Sequence, residues 1–178
     1  MVQVTDNIPC KEGSTVKFQD TGQIKRCSLS RDYVIQGILF REGSIIGFEE
    51  NGNLWRCNIS QETIISGIPC KSKTEVEFYP DGRLLGCTLS IDFDINGITV
   101  MSDSLLLFHP NANLFKCNIR EKYEINGLVL KPLTDVCFFD DKRLSAFTLH
   151  KNALISGIPC VADTRVWLNK NGRTAGGT

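Results

Sequence analysis

Eight cysteines and two histidines carry the strongest intrinsic chemistry in this 178-residue chain. A thiolate attacks carbonyls and disulfides or binds soft metals, and an imidazole moves protons near neutral pH. Spacing decides among these uses. Cys27, Cys57, Cys87 and Cys117 recur every 30 residues, and Phe147 takes the fifth place. Cys10, Cys70 and Cys160 share a second column, in which Phe40, Val100 and Leu130 fill the other places. A cysteine that trades with Phe, Val and Leu behaves as a small apolar core residue. Neighbours within one column would stand three strands apart in a meander, about 14 Å, beyond disulfide reach. No Cys-x-x-Cys or Cys/His metal spacing occurs. Buried, reduced thiols are the expectation. Cys137 is the exception. It shares a column with Lys17, Gly47, Glu77, Leu107 and Trp167, out of phase with Val136 and Phe138, so it should face outward.

Neither histidine has the company that catalysis needs. His109 precedes Pro110 in a turn column with Gln19, Glu49, Tyr79, Phe139 and Asn169, and His150 ends a strand in the column of Ser30, Ser60, Ser90 and Arg120. No acid or nucleophile repeats beside them, so no catalytic residue is assigned. The chain has no phosphate loop, dinucleotide fingerprint or EF-hand, so no cofactor and no metal is assigned. The acids Asp32, Asp81, Asp92 and Glu121 are scattered among turns and read as solvated turn residues.

The elements that position these residues follow from the repeat, which covers the whole chain. Ile8-Pro9-Cys10 returns as Ile68-Pro69-Cys70 and Ile158-Pro159-Cys160, with Gly37, Gly67, Gly97, Gly127 and Gly157 one residue ahead of the equivalent positions. Val16, Ile46, Val76, Leu106, Val136 and Val166 form one apolar column, and Phe18, Phe48, Phe78, Phe108, Phe138 and Leu168 form another two residues on. The chain reads as one repeat domain over 1–178 of about six units, with boundaries near 34, 64, 94, 124 and 154 and an incomplete last unit.

Each unit is all-β. Segments such as Glu75-Val76-Glu77-Phe78 are too short for helices, alternate strictly and favour β-branched and aromatic residues. Turns fall at Thr21-Gly22, Asn51-Gly52, Asp81-Gly82 and Asn171-Gly172, where glycine accepts positive φ. Asn111-Ala112 and Asp141-Lys142 lack that glycine, so a longer loop or a left-handed Asn or Asp must turn the chain there. Three short strands per unit are expected, with a bulge or bend between Ile65 and Ile68 and between Leu84 and Cys87, and with the strand interrupted or at an edge at Pro69. An antiparallel meander fits best, and a parallel β-helix is the alternative. An odd strand count would reverse successive units and double the structural period, in keeping with the alternation of Trp55-Arg56-Cys57 and Phe115-Lys116-Cys117 with Cys27-Ser28 and Cys87-Thr88.

Twenty basic residues balance twenty acidic ones, which argues against a broad nucleic-acid footprint. No apolar run reaches the length of a membrane span. The first residues lack the basic and apolar regions of a leader, so a cytoplasmic protein is expected, with an exported protein expressed without its leader as the alternative. The chain end, Arg173 to Thr178, drops the Leu and Cys columns, which predicts an uncapped edge, and Leu105-Leu106-Leu107-Phe108 is the segment to watch for association.

The remaining functional signal is a surface. Tyr79, His109 and Phe139 share the turn column, Leu107, Cys137 and Trp167 share the outward strand column, and Trp55-Arg56 and Phe115-Lys116 are aromatic–basic pairs. Aromatics and Arg are enriched where proteins bind, and the alternative is that some of these residues face a second core made by sheet curvature or by dimerisation.

Glu77-Phe78-Tyr79-Pro80-Asp81-Gly82-Arg83-Leu84 and Gly47-Phe48-Glu49-Glu50-Asn51-Gly52-Asn53-Leu54 resemble MORN-like bacterial hairpin repeats. That resemblance covers the hairpin half of each unit and implies an antiparallel hairpin array engaged in protein contact or membrane association. It brings no catalytic residue. The Ile-x-Gly-Ile-Pro-Cys half and the 30-residue period depart from it. The expected function is a non-enzymatic protein-binding or scaffold module, with a protein partner or a second copy of itself. The alternatives are a ligand-binding protein or small enzyme with a groove near His109 and Cys137, and a cell-envelope repeat protein.

Overall fold

A computed structural model describes residues 7–174 of the chain, in which every regular element is a β-strand. The expectations about a leader in residues 1–6 and about the final positions 175–178 lie outside the described residues. The chain divides into two compact units, Met1–Ser90 and Ile91–Thr178.

The first unit holds β1 (Lys17–Phe18), β2 (Ile24–Ser28), β3 (Tyr33–Ile35), β4 (Ile38–Phe40), β5 (Ile45–Phe48), β6 (Leu54–Asn58), β7 (Thr63–Ile65), β8 (Ile68–Cys70), β9 (Glu75–Phe78) and β10 (Leu84–Thr88). Its main sheet has the order β1-β2-β5-β6-β9-β10, antiparallel at every described pairing, and β3-β4 and β7-β8 form separate hairpins. The second unit repeats the plan. Its hairpins are β11 (Phe93–Ile95) with β12 (Ile98–Val100), β15 (Tyr123–Ile125) with β16 (Leu128–Leu130), and β19 (Ala153–Ile155) with β20 (Ile158–Cys160). Its sheet strands are β13 (Leu105–Phe108), β14 (Leu114–Asn118), β17 (Asp135–Phe138), β18 (Leu144–Thr148) and β21 (Arg165–Trp167), in that order.

The antiparallel meander is therefore the architecture, and each repeat contributes four strands rather than three. The extra strand comes from Ile65-Ser66-Gly67-Ile68, where the expected bulge or bend is a bend sharp enough to reverse the chain. Ser66 and Gly67 take φ of 50° and 81°, a two-residue turn of type I′, and Ile65 pairs with Ile68 across it. Gln36-Gly37, Asn96-Gly97, Asn126-Gly127 and Ser156-Gly157 do the same. With an even strand count, repeats keep one direction, and the expected doubling of the period does not arise. Pro69 sits in a two-stranded hairpin opposite Ile64, where a missing N–H is tolerated. The second expected bulge is present: Leu84 pairs with Phe78 and Gly86 with Glu77, so Leu85 and Gly86 together oppose one residue.

The core lies between the inner face of the sheet and the hairpins. In the first unit Ile46, Cys57, Val76 and Cys87 from the sheet and Ile35, Phe40, Ile65 and Cys70 from the hairpins are each at most 1% exposed. Burial of each aliphatic or aromatic side chain contributes about 1.5–3 kcal/mol, and the columns recur because every repeat fills the same slot. Phe18, in the column of buried Phe48 and Phe78, is instead 61% exposed. Its strand β1 stands at the end of the sheet order among the described residues, where it has one neighbouring strand, β2.

Turns are locked by their own side chains. Ser14, Thr74, Ser104 and Thr134 donate to the carbonyl three residues back. Asp32 accepts from the Glu42 N–H and pairs with Arg41, and Asp92 accepts from the Ser102 N–H. Ala112 and Lys142 take φ of 63° and 70° themselves, in loops as short as the glycine-bearing ones, while Asn111 and Asp141 accept the N–H two residues on. The longer loop or left-handed Asn or Asp that the missing glycine predicts is not used.

Cysteine pairing also departs from expectation. Cys10 and Cys27 form a disulfide, with Cα atoms 5.7 Å apart and a sequence separation of 17. Distance within a column rules out pairing along it, but the two columns meet inside one repeat, where Cys10, ahead of β1, bridges Leu29, just past β2. A loop of this size is stabilised by about 3 kcal/mol in the chain-entropy account. Cys57, Cys70, Cys87 and Cys117 are free and buried, as read from sequence, and Cys137 and Cys160 are partly exposed.

Candidate functional site on the outward face of the sheet

The outward face is built by bulges. In every sheet hairpin two residues of the second strand oppose one residue of the first: Lys25-Arg26 face Lys17, Trp55-Arg56 face Gly47, Phe115-Lys116 face Leu107 and Ser145-Ala146 face Cys137. At Lys25-Arg26, Trp55-Arg56 and Phe115-Lys116 the bulge leaves both consecutive side chains at least partly exposed, whereas regular alternation would bury one, and at Ser145-Ala146 only Ser145 is exposed to that degree. Leu54 and Cys57 are buried while Trp55 between them is 38% exposed, and Leu114 and Cys117 flank Phe115 in the same way. The aromatic–basic pairs are thus outward neighbours.

In the first unit the Arg56 guanidinium stands 5.0 Å from the Trp55 ring centroid, a cation–π contact. The same guanidinium pairs with Glu77 at 2.5 Å and with Glu75 at 3.5 Å. Cross-strand pairing makes a row of Lys17, Arg26, Gly47, Arg56, Glu77 and Gly86, which is charged at most places. Beside Trp55 a groove of about 600 Å³ opens, lined among others by Phe18, Gln19, Phe48, Glu49 and Asn51. The Gln19 side-chain oxygen is buried without a hydrogen-bond partner, while its nitrogen donates to the Glu49 carbonyl. Tyr79 is half-buried at the start of its turn, where its N–H donates to the Arg83 carbonyl, and burial pushes its hydroxyl pKa up.

In the second unit the corresponding row is Leu107, Lys116, Cys137, Ala146 and Trp167, so the outward column read from the sequence is one line of neighbours. It is far less charged. Lys116 pairs with Asp135 at 2.7 Å, and the Arg165 guanidinium lies 5.9 Å from the Trp167 ring centroid. Burial pushes the Cys137 thiol pKa up, only partly offset by Arg165 and Lys116, so the thiol stays protonated at neutral pH. His109 packs against Phe115 with the rings tilted by 56° and their centroids 4.9 Å apart, and its Nε2 lies 2.9 Å from the Phe138 carbonyl. A carbonyl only accepts, so Nε2 carries the proton. That contact ties one turn to the next repeat, as Asn111 and Asn113 do by donating to the Asp140 carbonyl. Phe139 is half-buried in the following turn, where its N–H donates to the Arg143 carbonyl.

The sequence reading missed two features. One is the groove wall at Phe18, Gln19, Glu49 and Asn51, because Phe18 shares a core column. The other is an apolar strip on the hairpins, where Val34, Leu39 and Ile64 are 58%, 42% and 73% exposed. Their signal was alternation within Tyr33-Val34-Ile35 and Thr63-Ile64-Ile65, hidden by β-branched residues on both faces.

Among the described residues no group of three or more His, Cys, Asp or Glu is arranged to hold a metal, and no helix is long and apolar enough to cross a membrane. Comparison with protein-family models found no match, and comparison with curated proteins found no significant match.

Proposed function

We propose that the chain is a non-enzymatic binding module that engages a protein partner through the outward face of its sheet. The observation that carries this reading is the bulge, which sets Trp55 beside Arg56 and Phe115 beside Lys116 on the outside. Rigid aromatics next to cations, held on strands, supply contact area at little entropic cost. The likeness to MORN-like hairpin arrays points the same way. A ligand-binding reading is favoured by one observation, the groove beside Trp55, which moves that alternative away from His109 and Cys137. The Cys10–Cys27 bridge supports the exported, cell-envelope alternative over the cytoplasm, because disulfides persist in oxidising compartments.

The test is capture from an extract of the native cells with the wild-type chain and with a Trp55→Ser/Phe115→Ser variant, with light scattering on each. The reading expects a protein retained by the wild type and lost by the folded variant. Equal retention by both, or capture of nothing, overturns it.

A further inference from the structure

We infer that Cys70 and Cys87 form a second disulfide, two repeats along from Cys10–Cys27, when the chain meets a disulfide oxidant such as oxidised glutathione. The two cysteine columns coincide in only two of the repeats, as Cys10 with Cys27 and as Cys70 with Cys87, each pair 17 residues apart. Elsewhere the partners are Phe40 with Cys57, Val100 with Cys117, Leu130 with Phe147 and Cys160 with Gly177, which cannot bond.

The backbone around the two pairs is the same frame. Around the bonded pair, Lys11 N–H donates to the Ser28 carbonyl at 2.7 Å, Ser30 N–H donates to the Pro9 carbonyl at 2.8 Å, and Cys10 bridges Leu29. Around the free pair, Lys71 N–H donates to the Thr88 carbonyl at 2.8 Å, Ser90 N–H donates to the Pro69 carbonyl at 3.0 Å, and Cys70 bridges Leu89. Disulfide geometry is set by where the backbone places two Cβ atoms, so a frame that accepts one bridge accepts the other. Cys70 and Cys87 are both fully buried, and the Cys70 thiol donates to the Ile68 carbonyl at 3.5 Å, as the sulfur of Cys160 does to the Ile158 carbonyl at 3.7 Å.

The reaction balances simply. Each thiol loses its proton, the pair gives up two electrons as the S–S bond forms, and the oxidant's own S–S bond breaks to give two thiols. Buried thiols react poorly, so the exchange takes place as the chain folds, while both sulfurs are open to solvent. The product staples hairpin β7-β8 to sheet strand β10, as Cys10–Cys27 staples the segment before β1 to β2.

The experiment refolds the fully reduced chain in a glutathione redox buffer, blocks remaining thiols with an alkylating agent at low pH, and maps the peptides by mass spectrometry. The expected map joins Cys70 to Cys87 and finds Cys57 and Cys117 alkylated. A folded chain with Cys70 and Cys87 both alkylated, whatever the state of Cys10 and Cys27, overturns the inference, and so does a map joining either to Cys57. A Cys10→Ala/Cys27→Ala variant isolates the new bridge. It should lose two hydrogen atoms on oxidation and melt several degrees lower once reductant is added, and an unchanged mass contradicts the assignment.

Discussion

Trp55 lies across Gly47. A methyl group built on Gly47 would stand 3.6 Å from Trp55 Cε3 and only 2.9 Å from the carbonyl oxygen of Arg56. The glycine is therefore the floor on which the outward aromatic rests, and the carbonyl it faces belongs to a β-ladder that cannot yield as a flexible side chain would. Gly47→Ala should destabilise the first unit by about 1–3 kcal/mol, the cost of forcing atoms into a packed site. Equilibrium urea unfolding followed by Trp fluorescence checks this, and the native emission should shift red as Trp55 is lifted into water. An unchanged midpoint and spectrum would mean that the ring does not rest there.

Ala112 and Lys142 take φ of 63° and 70° at the place where Gly52 and Gly82 take 82° and 85°. A side chain in the left-handed region costs about 1–2 kcal/mol, and glycine gives back part of that through the unfolded chain. Ala112→Gly and Lys142→Gly should each stabilise the second unit by about 0.5–1 kcal/mol. Thermal melts should move up by a few degrees for each and nearly additively for both, since the substitutions lie in separate turns.

Much of this was legible in the 30-residue period, and the reasons for what was not are specific. Buried columns announce themselves because core slots admit only apolar residues, so Ile46, Val76 and Cys57 could be placed without coordinates. The fourth strand was hidden because Ser66-Gly67 separates two isoleucines by the same spacing as a bulge, and only φ distinguishes the two. The Cys10–Cys27 bond was hidden because a column gives distances along the repeat axis and none across a single repeat. The outward pairing of Trp55 with Arg56 was suggested by residue type, yet it depends on a bulge whose register only the pairing with Gly47 reveals.

The buried thiols set an alkaline limit. Burial pushes Cys57 and Cys117 each up to about 12, whereas an exposed thiol titrates near 9. An acid whose pKa is raised by folding keeps its proton longer in the native state. Its contribution is complete below the unfolded value and is lost as pH rises toward the folded one. Stability should be flat near neutrality and should fall between pH 9 and about 12, on the order of 1.4 kcal/mol per pH unit for each thiol. Cys57→Val and Cys117→Val should flatten that decline in denaturant titrations across the range. A decline of equal slope in the variants would assign it to other groups.

Arg56 and Glu77 meet at 2.5 Å, yet their side chains are 38% and 35% exposed, so water and salt screen the pair. Glu77→Gln should cost less than about 1 kcal/mol at low salt and almost nothing at high salt. Denaturation curves at two ionic strengths give the answer. If Arg56 serves recognition, Arg56→Ala should weaken partner binding far more than it weakens the fold, whereas a structural Arg56 would lose both together.

The outward face is tested most directly by photo-crosslinking. A p-benzoylphenylalanine placed at Phe115 samples the outside of the sheet, and the same group placed at Ile64 samples the exposed hairpin strip. Irradiation in native extract should yield a covalent adduct with another protein from position 115 and none from position 64. Adducts from position 64 alone, or from neither position, would contradict a partner-binding surface on the sheet.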